Sequence, residues 1–359
     1  MMDLLVLNTN FESVGVIDTY ESLIWTDRFS EYGDFEITFA MSSELLEILK
    51  EDYYLWLKES EHCMIIEDLE IESDIEEGDK LKVTGRSLES ILDRRIVWGQ
   101  KIISGNLQNG VQTLLNEAII SPTITERQIP NFIFTESTDE KITSLTLESQ
   151  YMGETLYDIV KSLCEEAGIG FKIVLTDDNK FNFSLYAGTD RSYDQTENPY
   201  VVFSPNFENI INSNFYTSKA NYKNVCLVGG EGEGASQKTA SVGTASGLDR
   251  RELYTDAGSV SSDTESGTIT EDEYTAQLQA KGTEALSEYT VSTAFEGEVE
   301  ATKLFKYGED FFIGDIVQIA NEYGNEGSAY ISELVFSNDT EGFSIYPTFK
   351  TITKEGETE

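Results

Sequence analysis

Phe35-Glu36-Ile37-Thr38-Phe39 alternates apolar and polar residues with a period of two, the signature of a half-buried strand. Phe11-Glu12-Ser13-Val14-Gly15-Val16-Ile17 reads the same way, and Tyr54–Lys58, Met64–Glu70 and Lys80–Thr84 resume the pattern. Between them Ser43 is placed to cap a short helix with Leu45, Ile48 and Leu49 on one face, and Ser87 opens another with Leu88, Ile91 and Leu92 at core spacing. Many short strands around few helices predict a barrel-like or sandwich domain over residues 1–98.

From Gly99 to Asp194 the period changes. Val111, Leu114, Leu115, Ala118 and Ile119 follow helical spacing up to Ser121-Pro122. A second helix carries Leu156, Ile159, Val160, Leu163, Cys164 and Ala167 and is closed by Gly168. Phe171–Leu175 and Lys180–Tyr186 predict a hairpin across Thr176-Asp177-Asp178-Asn179. Residues 99–194 are therefore expected to form an inserted α+β domain. Strand character returns over Val201–Val228. Residues 229–289 are expected as a flexible Gly/Ser-rich loop followed by a helix that Thr270 and Glu273 open as a capping box, with Gly282 tolerable only beside a close neighbour. Phe295–Phe349 is strand after strand, so 195–228 and 290–359 are assigned to a second barrel-like domain. The fold class is mainly β with α+β insertions.

Composition bounds the function. The 359 residues include 25 Lys and Arg against 66 Asp and Glu, a net charge of −41. Affinity for phosphate backbones rests on cations, so this chain is expected to repel nucleic acid and anionic membranes. The surplus of carboxylates serves solubility, or a surface that nucleic acid passes without sticking. No apolar run approaches the roughly 20 residues of a membrane span. The first residues lack a basic n-region, so no signal peptide is expected. The three cysteines, Cys63, Cys164 and Cys226, have neither metal nor disulfide spacing, which fits synthesis in a reducing cytoplasm.

No motif reads as an active site. His62 is the one histidine, and beside Cys63 on a strand the two side chains point to opposite faces, so it is expected to be an ordinary strand residue. Cys164 and Cys226 read as small buried hydrophobes. Gly229-Gly230-Glu231-Gly232-Glu233-Gly234 looks like a phosphate loop but holds two glutamates and lacks the lysine. An EF-hand from Asp177 would need Gly and Glu where Asn182 and Gly188 stand. No cofactor and no metal are expected.

Three groups of segments carry a resemblance. Trp25-Thr26-Asp27-Arg28 and Glu31-Tyr32-Gly33-Asp34-Phe35-Glu36 precede Val83-Thr84-Gly85-Arg86-Ser87-Leu88-Glu89-Ser90-Ile91-Leu92-Asp93-Arg94-Arg95-Ile96-Val97-Trp98. Then come Gly230–Gly234, Gly247-Leu248-Asp249-Arg250-Arg251-Glu252-Leu253 and Gly314-Asp315-Ile316-Val317. In this order the chain resembles the tail-hub proteins of long-tailed phages of Gram-positive bacteria, themselves similar to contractile-tail baseplate hubs. The resemblance implies two β-barrel hub domains per chain and a homotrimer whose six barrels face the hexameric tail. It also implies a place at the virion tail tip, where the hub closes the tube and conducts DNA on ejection. The implied partners are the distal tail protein ring, the tail tube, the tape-measure protein and a receptor-binding protein or central fibre. Many relatives continue into a wall-cutting or fibre domain; because this chain stops at Glu359, that activity is expected elsewhere. A cell-wall-degrading or host-receptor-binding tail-tip protein stays open as the alternative. Arg28, Arg86, Arg94, Arg95, Arg250 and Arg251 are cations in an acidic chain, candidates for planar contacts within or between subunits, or plain surface charges.

Overall fold

Alternation of apolar and polar residues dictates most of what the computed structural model contains. It describes residues 2–76, 78–264, 267–299, 304–321, 323, 326–339 and 342–351. First come β1 (Leu4–Leu7), β2 (Ser13–Ile17), β3 (Ser22–Arg28), β4 (Asp34–Ala40), α1 (Ser43–Ile48), β5 (Tyr54–Leu57), β6 (Cys63–Asp74) and β7 (Gly78–Ser87). Next are β8 (Lys101–Asn106), α2 (Leu107–Leu115), β9 (Phe132–Thr135), α3 (Glu140–Thr143), β10 (Thr146–Tyr151) and α4 (Leu156–Ala167). The hairpin β11 (Gly170–Leu175) and β12 (Phe181–Tyr186) is followed by β13 (Val202–Phe203) and β14 (Ile210–Ser218). After β15 (Val225–Gly229), β16 (Thr239–Val242), β17 (Glu252–Asp256), β18 (Asp263–Thr264), β19 (Gly267–Thr268) and α5 (Glu271–Ser287) come β20 (Ser292–Val299), β21 (Ile316–Ala320), β22 (Glu326–Asp339) and β23 (Gly342–Thr351). Of the strands expected between 295 and 349, residues 300–303, 322, 324, 325, 340 and 341 lie outside the described residues.

The chain forms two units: Met1–Ser90 with Gly170–Tyr216 and Thr293–Glu359, and Ile91–Ile169 with Thr217–Ser292. The first is built on a 13-stranded sheet in the order β14-β20-β23-β22-β3-β4-β7-β6-β5-β1-β2, with β21 and β13 added beside β22. One edge of β22 serves two partners. Its first residues pair with β21, as in Ile316↔Tyr330, and its later ones with β3, as in Leu334↔Asp27 and Phe336↔Trp25. The switch happens at a bulge between Ile331 and Glu333, where Ser332 is the extra residue opposite β23. Core-facing positions therefore jump from Ala329 and Ile331 to Leu334 and Phe336. The first pair belongs to a core with Val201, Phe203, Phe311, Val317 and Phe349; the second to a core with Leu23, Trp25, Phe35, Ile37 and Val83. A single β22–β23 hairpin thus runs through both hydrophobic cores.

Among the described residues three small sheets lie wholly in the second unit, one of them the short pair β18 and β19. β8 and β10 pair antiparallel, and β15 lies between β16, antiparallel, and β17, parallel. α5 covers β15 with Tyr274 and Leu278 against Cys226, Val228, Ala240 and Val260. A Cβ on Gly282 would stand 2.8 Å from both Val228 and Val242, which is why glycine is tolerated in that helix. The Thr270–Glu273 capping box forms, and Gly168 ends α4 in the left-handed region at φ 65°. Two details differ from expectation. Ser42, not Ser43, caps α1. The stretch expected as a loop holds β16 and β17, and Leu253 packs in the same chain's core. These strands are held by β15 and by the apolar face of α5, neither of which lies within the Gly/Ser-rich stretch.

Candidate functional site

Two of the motif segments that carry the resemblance, those holding Arg28 and Arg86, meet at bulges of the first unit. Beyond the β22 bulge, Glu333 accepts a 2.6 Å bond from Arg28 Nε, and Arg28 Nη1 reaches Asp34 at 2.6 Å and the Tyr32 carbonyl at 3.0 Å. Burial opposes the charge, but Asp34 and Glu333 hold the Arg28 guanidinium above its ordinary pKa. β6 has a second bulge between Ile66 and Asp68, and its extra residue, Glu67, is gripped by Arg86 through Nε at 2.7 Å and Nη2 at 2.8 Å. This is the forked geometry that suits guanidinium to carboxylate. Gly85 makes room for that bulge, since a Cβ there would stand 1.9 Å from the Ile65 carbonyl oxygen. Arg86 also lies 4.9 Å from the centre of the Tyr32 ring, and Gly33 donates to Ser87 Oγ at 2.8 Å. Arg28 and Arg86 therefore each clamp an acidic residue at a bulge.

Behind the clamps lies a buried charge network that the sequence reading missed. His62 Nδ1 is 3.0 Å from Glu89 Oε1, which also accepts the Ile173 N–H at 2.7 Å. Asp27 accepts from Trp25 Nε1 at 3.0 Å and from Ser60 Oγ at 2.7 Å, and Ser60 Oγ accepts the His62 N–H at 3.0 Å. His62 and Glu89 are 3% and 0% exposed. Burial would depress the imidazole, but the carboxylates of Glu89 and Asp27 overrule it and raise its pKa to about 9. The imidazolium holds Glu89 below its ordinary value despite burial, while burial raises Asp27. His62 is thus no ordinary strand residue: it precedes β6 and is one half of a buried ion pair. It is inaccessible to a substrate, so the arrangement can hold charge and orient strands. The one sequence signal is a lone histidine after Ser60-Glu61; its partner, 27 residues away, has none.

The last motif segment is anchored similarly. Asp315 accepts from Arg191 Nε at 2.8 Å and from the Thr189 N–H at 2.7 Å, and Gly314, at φ 86°, leaves no room for a Cβ beneath Phe29. The Gly-rich loop is closed by its own chain, with the Glu231 carboxylate accepting from Ser261 Oγ at 2.7 Å and Ser262 N–H at 2.8 Å.

The remaining candidate arginines lie in the second unit or at its start. Arg95 donates to the Arg127 and Arg94 carbonyls at 2.9 and 2.8 Å. Arg250 pairs with Glu252 at 2.6 Å, and Arg251 stands 5.9 Å from the Tyr222 ring and bonds the Lys219 carbonyl. The structure brings Arg28 and Arg86 to one junction through Tyr32; it does not join them with the others.

The model of the family described as Siphovirus ReqiPepy6 Gp37-like protein matches residues 3–349. No curated protein matches the chain. Among solved structures the chain is similar to a tail protein from Neisseria meningitidis, at 11% identity over 99% of this chain and 97% of that one, with a TM-score of 0.58. It is similar also to the 43 kDa tail protein of prophage MuSo2 from Shewanella oneidensis, at 13% identity over 98% of both chains and a TM-score of 0.57. Prophage tail protein gp18 from Listeria monocytogenes is 12% identical over 98% of this chain and 95% of that one, with a TM-score of 0.55. At these identities the likeness is one of fold.

Proposed function

The chain belongs to the Siphovirus ReqiPepy6 Gp37-like protein family and has the fold of phage tail proteins, and from that premise we propose that it is a structural hub at the tail tip. The observation that carries this reading is the β22–β23 hairpin passing through two separate cores. One chain thereby offers two β lobes, the parts assigned as 1–98 and as 195–228 with 290–359. Three chains would offer six, matching a sixfold tail tube.

The net charge of −41 per chain supports a conduit role, because an acidic lumen does not trap passing phosphates. The buried state of His62 and of Cys63, Cys164 and Cys226 supports a non-enzymatic role. Arg94, Arg95, Arg250 and Arg251 are proposed as contacts between subunits, and the distal tail protein ring, tail tube, tape-measure protein and a fibre or receptor-binding protein as partners.

Light scattering on purified protein at micromolar concentration tests the reading. A mass three times the 40.2 kDa of one chain is expected, alone or after mixing with the distal tail protein. A monomer under both conditions sinks it.

A further inference from the structure

In so acidic a chain a guanidinium is expected to find a carboxylate, yet Arg95 and Arg127 stand on backbone carbonyls. Arg95 Nε donates to the Arg127 carbonyl at 2.9 Å, and Arg127 Nη2 donates to the Ile96 carbonyl at 2.6 Å. Among the described residues no carboxylate pairs with Arg95 or Arg127. Burial and then the charges of Arg127 and Arg94 push the Arg95 guanidinium below its ordinary pKa.

This cluster borders a cleft of about 380 Å³. Trp98 forms one wall, 56% exposed, with the Arg127 guanidinium 5.0 Å from its ring centre. Val97 and Ile124 add apolar surface, and Ser121, Thr123 and Lys101 line the remainder. Lys101 is held at 2.8 Å by Glu117, the carboxylate of the cleft. An exposed indole is a platform for the apolar face of a ring. Hydroxyls, a carboxylate and an ammonium around it suit a ligand dense in hydroxyl groups. The guanidinium suits a phosphate or carboxylate.

We propose that this cleft binds an acidic saccharide, its ring on Trp98 and its phosphate or carboxylate on Arg127 and Lys101. An extended acidic peptide would satisfy the cations but would leave the indole and the hydroxyls without matched partners. The inference does not rest on the hub reading, since it concerns one chain and no oligomer.

Fluorescence titration tests it on the full-length protein with Trp56→Phe, so that Trp98 is the exposed tryptophan and Trp25 the buried one. The probes are glucose 1-phosphate and glucuronate, with glucose, inorganic phosphate and tetraglutamate as comparisons. One or both acidic sugars should give a saturable change that weakens with salt, and whichever binds identifies the acidic group. Glucose and inorganic phosphate should bind roughly tenfold more weakly or not at all, because each supplies only half of the contacts. Arg127→Gln should weaken binding by about tenfold or more. Trp98→Ala, at an exposed position, should abolish binding measured by calorimetry. The proposal is overturned if neither acidic sugar binds or if inorganic phosphate binds as well as the sugar phosphate. Tighter binding of tetraglutamate, or binding that Trp98→Ala leaves unchanged, would overturn it equally.

Discussion

His62→Gln should destabilise the first unit strongly, and the pH dependence of that loss distinguishes an ion pair from simple packing. The substitution leaves the Glu89 carboxylate, 0% exposed, facing a neutral amide. Breaking a buried pair by removing one partner costs about 3–5 kcal/mol. The rise of the imidazole from 6.5 to about 9 gives an independent figure on the order of 3 kcal/mol. A histidine whose folded pKa is raised stabilises the fold fully below its unfolded value and loses that contribution as pH climbs through the folded one. The gap between wild type and His62→Gln should therefore be full near pH 6, begin to shrink above pH 6.5 and be largely gone above pH 9. Urea unfolding followed by Trp25 fluorescence reads it directly, because Trp25 Nε1 is bonded to Asp27 in the same network. Adding Glu89→Gln should recover part of the loss, since the pair is then replaced whole. A single variant within about 0.5 kcal/mol of wild type at pH 6, far below the range for a broken buried pair, would falsify the reasoning. So would a gap unchanged from pH 7 to pH 10.

Gly85→Ala drives a methyl group into the Ile65 carbonyl and should cost at least about 3 kcal/mol or abolish soluble expression, seen by circular dichroism. Arg28→Met removes ties to Asp34 and Glu333; with the arginine side chain 24% exposed, screening limits the loss to about 1 kcal/mol. The difference from wild type should narrow in about 1 M salt, where charges are screened within roughly 3 Å. Arg250→Ala with Arg251→Ala should lower the mass of the proposed assembly in light scattering while leaving the melting temperature unchanged. Loss of folded protein instead would assign both residues to the chain's own fold.

Local signals were legible in the sequence because their partners are neighbours. The Thr270–Glu273 box, the Gly168 cap and the β11–β12 hairpin each close within a few residues. Alternation at Phe35–Phe39 places Phe35, Ile37 and Phe39 inside as expected. What stayed hidden depends on register set elsewhere. Nothing near Glu67 or Ser332 marks a bulge, because a bulge is a mismatch between two strands and not a property of one. The arginines stood out in the sequence by charge, yet Arg28 finds Glu333 305 residues away. β16 escaped notice because only Ala240 of Thr239-Ala240-Ser241-Val242 is buried, and backbone pairing with β15 holds the rest.

The pairing of β22 with β3 also sets a timetable for synthesis. Trp25 and Leu23 lie in a core whose wall includes Leu334 and Phe336. A ribosome adding roughly 5–20 residues per second needs on the order of 15–60 s between these strands. Throughout that interval β3 is an open edge, with unpaired N–H and C=O groups ready to zip onto another nascent copy. Crowded polysomes translating this message are therefore expected to favour such pairing, and a holding chaperone that shields β3 during synthesis should raise the yield of folded chains.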